Sequence, residues 1–219
     1  MMPPRPLFSL LALLLAALAC QLPGLSDSAP PGAPPGKEIL FQDDFSSPDD
    51  TWVRLRDEEG ITDYDQDGYR IRVDRENWFF WVNPGLTFDD VSIQVEATKL
   101  GGPDENEFGV ICRYVDENNF YFFSITSDGF YGITRVVGDD YELIGMQNLR
   151  PSNAINTGSA ANRLRAECQG NTLRFYVNDM LLAEVQDDNL TAGDIGLIAG
   201  TYDQPGVDIL FDNLIVTRP

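Results

Sequence analysis

The sequence predicts an all-β fold, a sandwich or barrel of antiparallel strands. Three observations carry that reading. From Lys37 onward, short runs rich in Val, Ile, Phe and Tyr alternate with turn residues at regular spacing. Beyond the first nineteen residues, no window shows an apolar period of 3.6. The stretch Glu107 to Val137, EFGVICRYVDENNFYFFSITSDGFYGITRVV, reads as three antiparallel strands joined by two tight turns.

Residues 1–19, MMPPRPLFSLLALLLAALA, read as a secretory signal: Arg5 supplies the positive end, and Leu7 to Ala19 is an apolar run too short to span a membrane stably. The run ends in Ala17-Leu18-Ala19 and is followed at once by Cys20, which resembles the lipobox of bacterial lipoproteins, with Ala17 where Leu is commonest. The resemblance implies lipidation at Cys20 and an extracytoplasmic, membrane-tethered protein. Cleavage after Ala19 to a secreted protein, or retention as an uncleaved anchor, fits the same segment. Residues 20–37 then form the lipidated Cys and a Pro/Gly/Ser-rich tether. QLPGLSDSAPPGAPPG within it has too little apolar surface to fold, and as polyproline it reaches about 50 Å. The folded domain is residues 38–219.

Within the domain, Ile39 to Phe45 alternates and Trp52 to Leu55 is short. Ile61 to Asp65 and Tyr69 to Asp74 flank Gln66-Asp67-Gly68, an Asp-Gly hairpin signal. Trp78 to Val82 is an aromatic block stopped by Asn83-Pro84-Gly85. Val91 to Thr98 alternates cleanly, with Val91, Ile93, Val95 and Ala97 on one face. In the central meander, Phe108, Val110, Cys112 and Tyr114 are expected to share a face, and Ser127-Asp128-Gly129 turns the chain. Tyr141 to Met146 is a weaker strand. Asn148 to Asn162 is polar and reads as loop with room for one helical turn. Arg163 to Cys168, Leu173 to Val177 and Leu181 to Val185 form successive hairpins, and Asp194 to Gly200 and Val207 to Val216 close the chain.

Charge and composition exclude whole classes of function. Thirty-five acidic residues face fifteen basic ones, a net charge of −20. Such a surface repels phosphate backbones, so no nucleic-acid partner is expected, whereas divalent cations or basic partners would be attracted. The chain has no histidine. That removes Ser-His-Asp and Cys-His nucleophiles and the HExxH metalloproteases.

Four acids have calcium-loop spacing: Asp63, Asp65, Asp67 and Asp74 at places one, three, five and twelve, with Gly68 at six. The same residues form a hairpin turn, and a strand comes next where an EF-hand needs a helix. Calcium is therefore the one cofactor the sequence leaves open; none is required. Cys112 and Cys168 both fall among apolar neighbours, and export would permit a disulfide between them; two buried thiols fit equally. For ligand binding the candidate groups are Trp78, Trp81, Arg113, Tyr121, Tyr131 and Arg135, because sugars stack C–H faces on aromatic rings and pair hydroxyls with polar side chains. Arg113 is expected beside Ile111, and Tyr121 opposite Tyr131. Core packing is the competing role for these aromatics.

Five segments in order, FQDDFSSPDDTW, GYRIRV, FGVICRYVDENNFYFFSITSDGFYGI, NRLRAECQGNTLRFYVND and GVDILFDNLIV, resemble the concanavalin A-like lectin/glucanase superfamily over about Ile39 to Val216. The laminin-G-like jelly rolls of bacterial surface proteins and the related 3-keto-disaccharide hydrolase domain are similar in particular. The resemblance implies an all-β, two-sheet antiparallel jelly-roll sandwich with first and last strands adjacent, and often a glycan on its concave face. A structural ion is also common in such folds; Asp43, Asp44 and Asp212 lie on those strands, where an Asp equally bonds backbone amides. The hydrolases of the superfamily carry Glu-x-Asp-x-x-Glu on one strand, and this sequence has no Glu-x-Asp. Its substitutes are Asp74-x-Glu76, Glu105-x-Glu107 and Asp140-x-Glu142, at strand ends or in turns.

The expected function is a surface-anchored, non-catalytic module that binds a glycan or another cell-envelope component. The alternatives are a carboxylate-dependent glycoside hydrolase of the 3-keto-disaccharide type and an adhesion domain with a protein partner. Any contact with membrane is expected through the lipid anchor only.

Overall fold

The computed structural model describes residues 36–138 and 140–219. The signal segment, Cys20 and nearly all of the tether lie outside the described residues. Sixteen strands and no helix are found among those described. They are β1 (Ile39–Asp43), β2 (Leu55–Arg56), β3 (Gly60–Asp65), β4 (Gly68–Val73), β5 (Phe79–Val82), β6 (Val91–Gly101), β7 (Asn106–Asp116) and β8 (Asn119–Ile125). Then come β9 (Phe130–Val137), β10 (Asp140–Leu143), β11 (Arg150–Pro151), β12 (Asn162–Gln169), β13 (Thr172–Val177), β14 (Met180–Gln186), β15 (Asp194–Thr201) and β16 (Val207–Thr217).

Two antiparallel sheets pack face to face. A nine-stranded sheet runs β14-β13-β12-β6-β16-β4-β3-β2, with β1 also on β16, and a seven-stranded sheet runs β10-β9-β8-β7-β15-β5, with β11 also on β9. First and last strands are adjacent, Phe41 opposite Val216. Short polar turns set the register. Gln66 and Asp67 (φ 53° and 59°), and Asn178 and Asp179 (φ 49° and 68°), are two-residue turns with both centres left-handed, the geometry that matches strand twist. The region 148–162 contains the two-residue β11 and no helical turn.

The core lies between the layers. Val110, Phe123, Ile133 and Leu197 from one sheet meet Ile93, Leu164, Phe175 and Phe211 from the other, all fully buried. Cys112 and Cys168 are joined by a disulfide that staples β7 to β12 across this interior. One end is closed by an aromatic knot. Phe45 and Tyr64 pack edge-on against Trp52 and Tyr69, with centroids 5.6 and 5.3 Å apart. Asp43 positions it: Oδ1 accepts from the Phe45 amide at 2.7 Å and Oδ2 from the Trp52 indole at 2.8 Å. The opening FQDDF…W pattern is thus a folding device. Each such ring pair adds about 0.5–1.5 kcal/mol beyond burial.

One bulge changes the expected parity of the central meander. Against β15, β7 gains one residue between Ile111 and Tyr114, against β8 two between Cys112 and Asp116, and Arg113 takes φ 55°. The extra residue rotates the remainder of the strand. Tyr114 therefore leaves the face of Cys112 and joins Phe120 on the outside, with ring centroids 5.7 Å apart. Arg113 turns inward instead of staying beside Ile111.

Candidate functional site

The outer faces of the two sheets differ in kind. That of the nine-stranded sheet is laced with ion pairs. Arg70 holds Asp65 and Asp208, both at 2.6 Å; Arg54 and Arg56 hold Asp63 at 2.5 and 2.6 Å; Arg174 holds Glu184 at 2.6 Å. The Arg165 guanidinium lies 3.6 Å over the Tyr176 ring and pairs with Glu167. These groups satisfy one another.

The outer face of the seven-stranded sheet is apolar. Period two along β8 puts Phe120 and Phe122 outside, while Tyr121 and Phe123 point in. Register then lines Phe122 up with Ile111 on β7 and Phe120 with Val136 on β9. Ile198 of β15 completes a second hydrophobic cluster, separate from the core, and Phe79, Trp81 and Tyr114 pack on it half-buried. The rings form a track whose middle members, Phe120 and Phe122, are buried, so that Phe79, Trp81 and Tyr114 are the rings a ligand can reach. Trp81 and Tyr114 flank Phe120 at 5.8 and 5.7 Å; Phe120 meets Phe122 at 6.1 Å, and Phe122 meets Phe79 at 6.1 Å. The Phe79 ring rests on Gly200, where any side chain would collide with it.

Two positions along from Phe79 and its strand partner Gly200, Asn77 and Tyr202 line a cavity of about 420 Å³, within the usual size of ligand pockets. Asn77, Thr126, Asn148 and Tyr202 give it hydrogen-bonding groups, Phe130 and Leu149 give it apolar wall, and Glu105, Asp128 and Asp203 line it with carboxylates. Beneath it Glu107 is 7% exposed. Ser124 Oγ donates to its Oε1 at 2.5 Å, and Tyr202 Oη donates to its Oε2 at 2.7 Å. Burial pushes the Glu107 carboxyl above its ordinary range, and the two hydrogen bonds only partly oppose it. The Tyr202 phenol is pushed well up by its own burial and by the charges of Glu107, Asp128 and Glu105.

Most residues expected to touch ligand are elsewhere. Trp81 lies on the aromatic track. Trp78, 37% exposed, stands at its margin with the Arg75 guanidinium 3.7 Å over the ring. Arg113 is 2% exposed and donates to the carbonyls of Leu190 (2.8 Å) and Gly170 (2.7 Å), with Asp90 at 3.3 Å. It clamps loops and cannot reach a ligand. Tyr121 and Tyr131 do not oppose each other: Tyr121 pairs with Arg135, and Tyr131 with Ile125. Both are buried facing the core, their hydroxyls spent on Asp187 and on the Leu182 carbonyl. Arg135 is bound to Asp187 at 2.5 Å and to Glu142.

The calcium-loop spacing does not assemble. Asp63 is taken by Arg54 and Arg56, Asp65 by Arg70 and Asp74 by Arg72, while Asp67 sits at the tip of the β3–β4 turn. A flat hairpin keeps these side chains spread, and among the described residues no group of three or more acids or cysteines is arranged to hold a metal. Sequence reading missed Phe79, Tyr114, Phe120, Phe122 and the cavity. The Phe120-x-Phe122 alternation was the visible signal; the bulge that adds Tyr114 and the packing of Tyr202 on Glu107 had none.

No protein-family model matches the chain, and no curated protein does. Solved structures do. The chain is similar to the carbohydrate-binding module CBM66 from Bacillus subtilis (15% identity, TM-score 0.62, 76% of this chain and 95% of that one). It is similar to a Bacillus subtilis protein of unknown function with a galectin-like fold (13%, 0.60, 83% and 96%). It is also similar to a GH16 protein of the mixed-linkage glucan locus of Bacteroides ovatus, solved with an oligosaccharide product (10%, 0.59, 81% and 100%). At these identities the likeness is one of fold: the chain is a two-sheet antiparallel jelly-roll sandwich.

Proposed function

We propose that the protein is a non-catalytic glycan-binding module that offers the outer face of its seven-stranded sheet to a carbohydrate chain. The observation that carries this is the asymmetry of the two outer faces. One is a closed mesh of ion pairs; the other is a ring track with a polar cavity near Phe79. Aromatic rings accept the apolar faces of sugars, and amide, hydroxyl and carboxylate groups accept their hydroxyls. Two of the similar structures, a carbohydrate-binding module and a GH16 protein with bound oligosaccharide, support the same class of ligand.

Binding without turnover is favoured by the state of Glu107. Both of its oxygens are engaged by Ser124 and Tyr202 beneath the cavity, so this carboxyl is sealed from a substrate. A hydrolase would have to use Glu105, Asp128 or Asp203, the carboxylates that line the cavity. We further propose that Cys20 is lipidated and that the tether holds the domain outside the membrane. The chain enters the domain through β1, in the nine-stranded sheet, and so leaves the aromatic face on the other layer.

The test is affinity electrophoresis and calorimetry of the purified protein against soluble polysaccharides, with reducing ends assayed in parallel. Retention without released sugar, lost in Trp81→Ala and Phe79→Ala, is expected. Released reducing sugar, abolished by Glu105→Gln, Asp128→Asn or Asp203→Asn, would replace this reading by hydrolysis. Failure to retain any glycan would favour a protein partner.

A further inference from the structure

The edge of the seven-stranded sheet next to the cavity carries an extruded loop. Leu143 pairs with Thr134 and Arg150 with Tyr131, so β10 and β11 are one edge strand interrupted against β9. The six residues Ile144–Leu149 stand opposite only Gly132 and Ile133. The loop is fixed at its base, where the Ile144 amide donates to the Ile133 carbonyl at 2.8 Å. Gly132 makes room for it. A Cβ there would lie 2.6 Å from Leu149 and 2.8 Å from Leu143, whose side chains fill that space. Arg150 closes the loop by donating to the Gly145 carbonyl at 3.2 Å.

This loop forms a wall with a cavity on each side. One is the 420 Å³ cavity near Phe79; the other, about 640 Å³, lies within the loop against Glu142, Met146 and Arg150. Asn148 and Leu149 line both. The Asn148 amide is exposed and makes no hydrogen bond with other described residues. It is therefore free to serve a ligand on either side of the wall. Charge narrows the ligand further. The 420 Å³ cavity is lined by Glu105, Asp128 and Asp203 and by no cation, whereas in the 640 Å³ cavity Glu142, already paired with Arg135, is balanced by Arg150. A uronate, sulfate or phosphate group in the 420 Å³ cavity would meet like charge well inside a screening length of about 8 Å.

Resting on the glycan-binding reading above, we infer that the ligand is an uncharged glycan chain of several units. It lies along the ring track and crosses the Asn148–Leu149 wall, with a sugar in each cavity. Asn148 is then a specificity-determining residue, bonding the two units that flank the wall.

The probes are neutral polysaccharides (mixed-linkage glucan, galactan, levan) and anionic ones (alginate, polygalacturonate) with the purified full chain at fixed ionic strength. Oligosaccharides of two to six units, cut from the retained neutral polymer, are then titrated. Neutral chains are expected to bind and anionic ones not. Affinity should rise with length, and Asn148→Ala and Leu149→Ala should weaken the longer oligomers about tenfold and flatten that rise. Equal or tighter binding of an anionic polymer overturns the uncharged class. Length dependence untouched by both loop substitutions overturns the crossing of the wall. In either case, loss of binding in Trp81→Ala would leave the glycan face standing. Retention of no polysaccharide removes both.

Discussion

Tyr202 donates its phenolic hydrogen to Oε2 of Glu107 across 2.7 Å, joining the end of β15 to the start of β7 beneath the cavity. The bond holds the tyrosine ring as a wall of the site, and it does so through a carboxyl almost removed from water. Burial raises the Glu107 pKa from its ordinary 4.5. A carboxyl raised by folding contributes stability that is fully present below 4.5 and lost as pH rises through the folded value. The wild type should therefore lose stability relative to Glu107→Gln as pH climbs from about 4.5, and the difference should level off above the folded value. Melting both proteins from pH 4 to pH 8 checks this; a difference that does not change with pH refutes the buried carboxyl.

Asp187 behaves in the opposite sense. Burial alone would raise its pKa. Tyr121 at 2.5 Å, Asn189 at 2.9 Å through its amide and 3.0 Å through its backbone, and Arg135 at 2.5 Å together hold it below the ordinary 3.8. Its contribution is present above 3.8 and lost as pH falls through the folded value. Asp187→Asn should cost about 2 kcal/mol at neutral pH, less than a fully buried pair because Arg135 is partly solvated. It should also flatten the acid limb of the stability curve. Urea titrations at neutral and acid pH measure both effects.

The Cys112–Cys168 bridge links residues 56 positions apart and joins the two layers. By the chain-entropy account, removing it costs about 4 kcal/mol, and native bridges commonly contribute about 2–4. Cys112→Ala with Cys168→Ala, or the wild type under reductant, should melt well below the oxidised protein. A reductant-insensitive melting temperature, with free thiols found by alkylation, would show that the two sulfurs are not bonded.

Arg113 is predicted to matter for folding and not for ligand. Its guanidinium reaches two carbonyls and Asp90 from a buried position. A lysine ammonium cannot span all three. Arg113→Lys should lose about 2 kcal/mol, the cost of leaving buried acceptors unpaired. Glycan affinity, measured well below the melting temperature, should not change. A selective loss of binding would return Arg113 to the site.

Much of the fold was legible in residue order. The Asp-Gly turn at 66–68, the alternation of Val91 to Thr98 and the meander from Glu107 each follow from local rules of side-chain period and turn chemistry, and the structure places strands at all three. The site was far less legible. Trp81 was visible as an aromatic in a strand, but Tyr121 and Tyr131 look the same in sequence and are buried on the inner face. Which parity faces inward is settled by the opposing sheet, which no local pattern records.

By itself the sequence determined the class of fold, the strand boundaries to within a few residues and the acidic balance, because these depend on near neighbours and on composition. Only the tertiary structure decided which aromatic face stays outside, where Arg113 and Tyr114 point after a one-residue bulge, and that Asp63, Asp65 and Asp74 are bound to arginines. The outer face and the bulge hang on pairing of β5 and β7 with β15, tens of positions away, and the ion pairs on how β2, β3 and β4 come together; a single extra residue in one strand exchanges inside for outside.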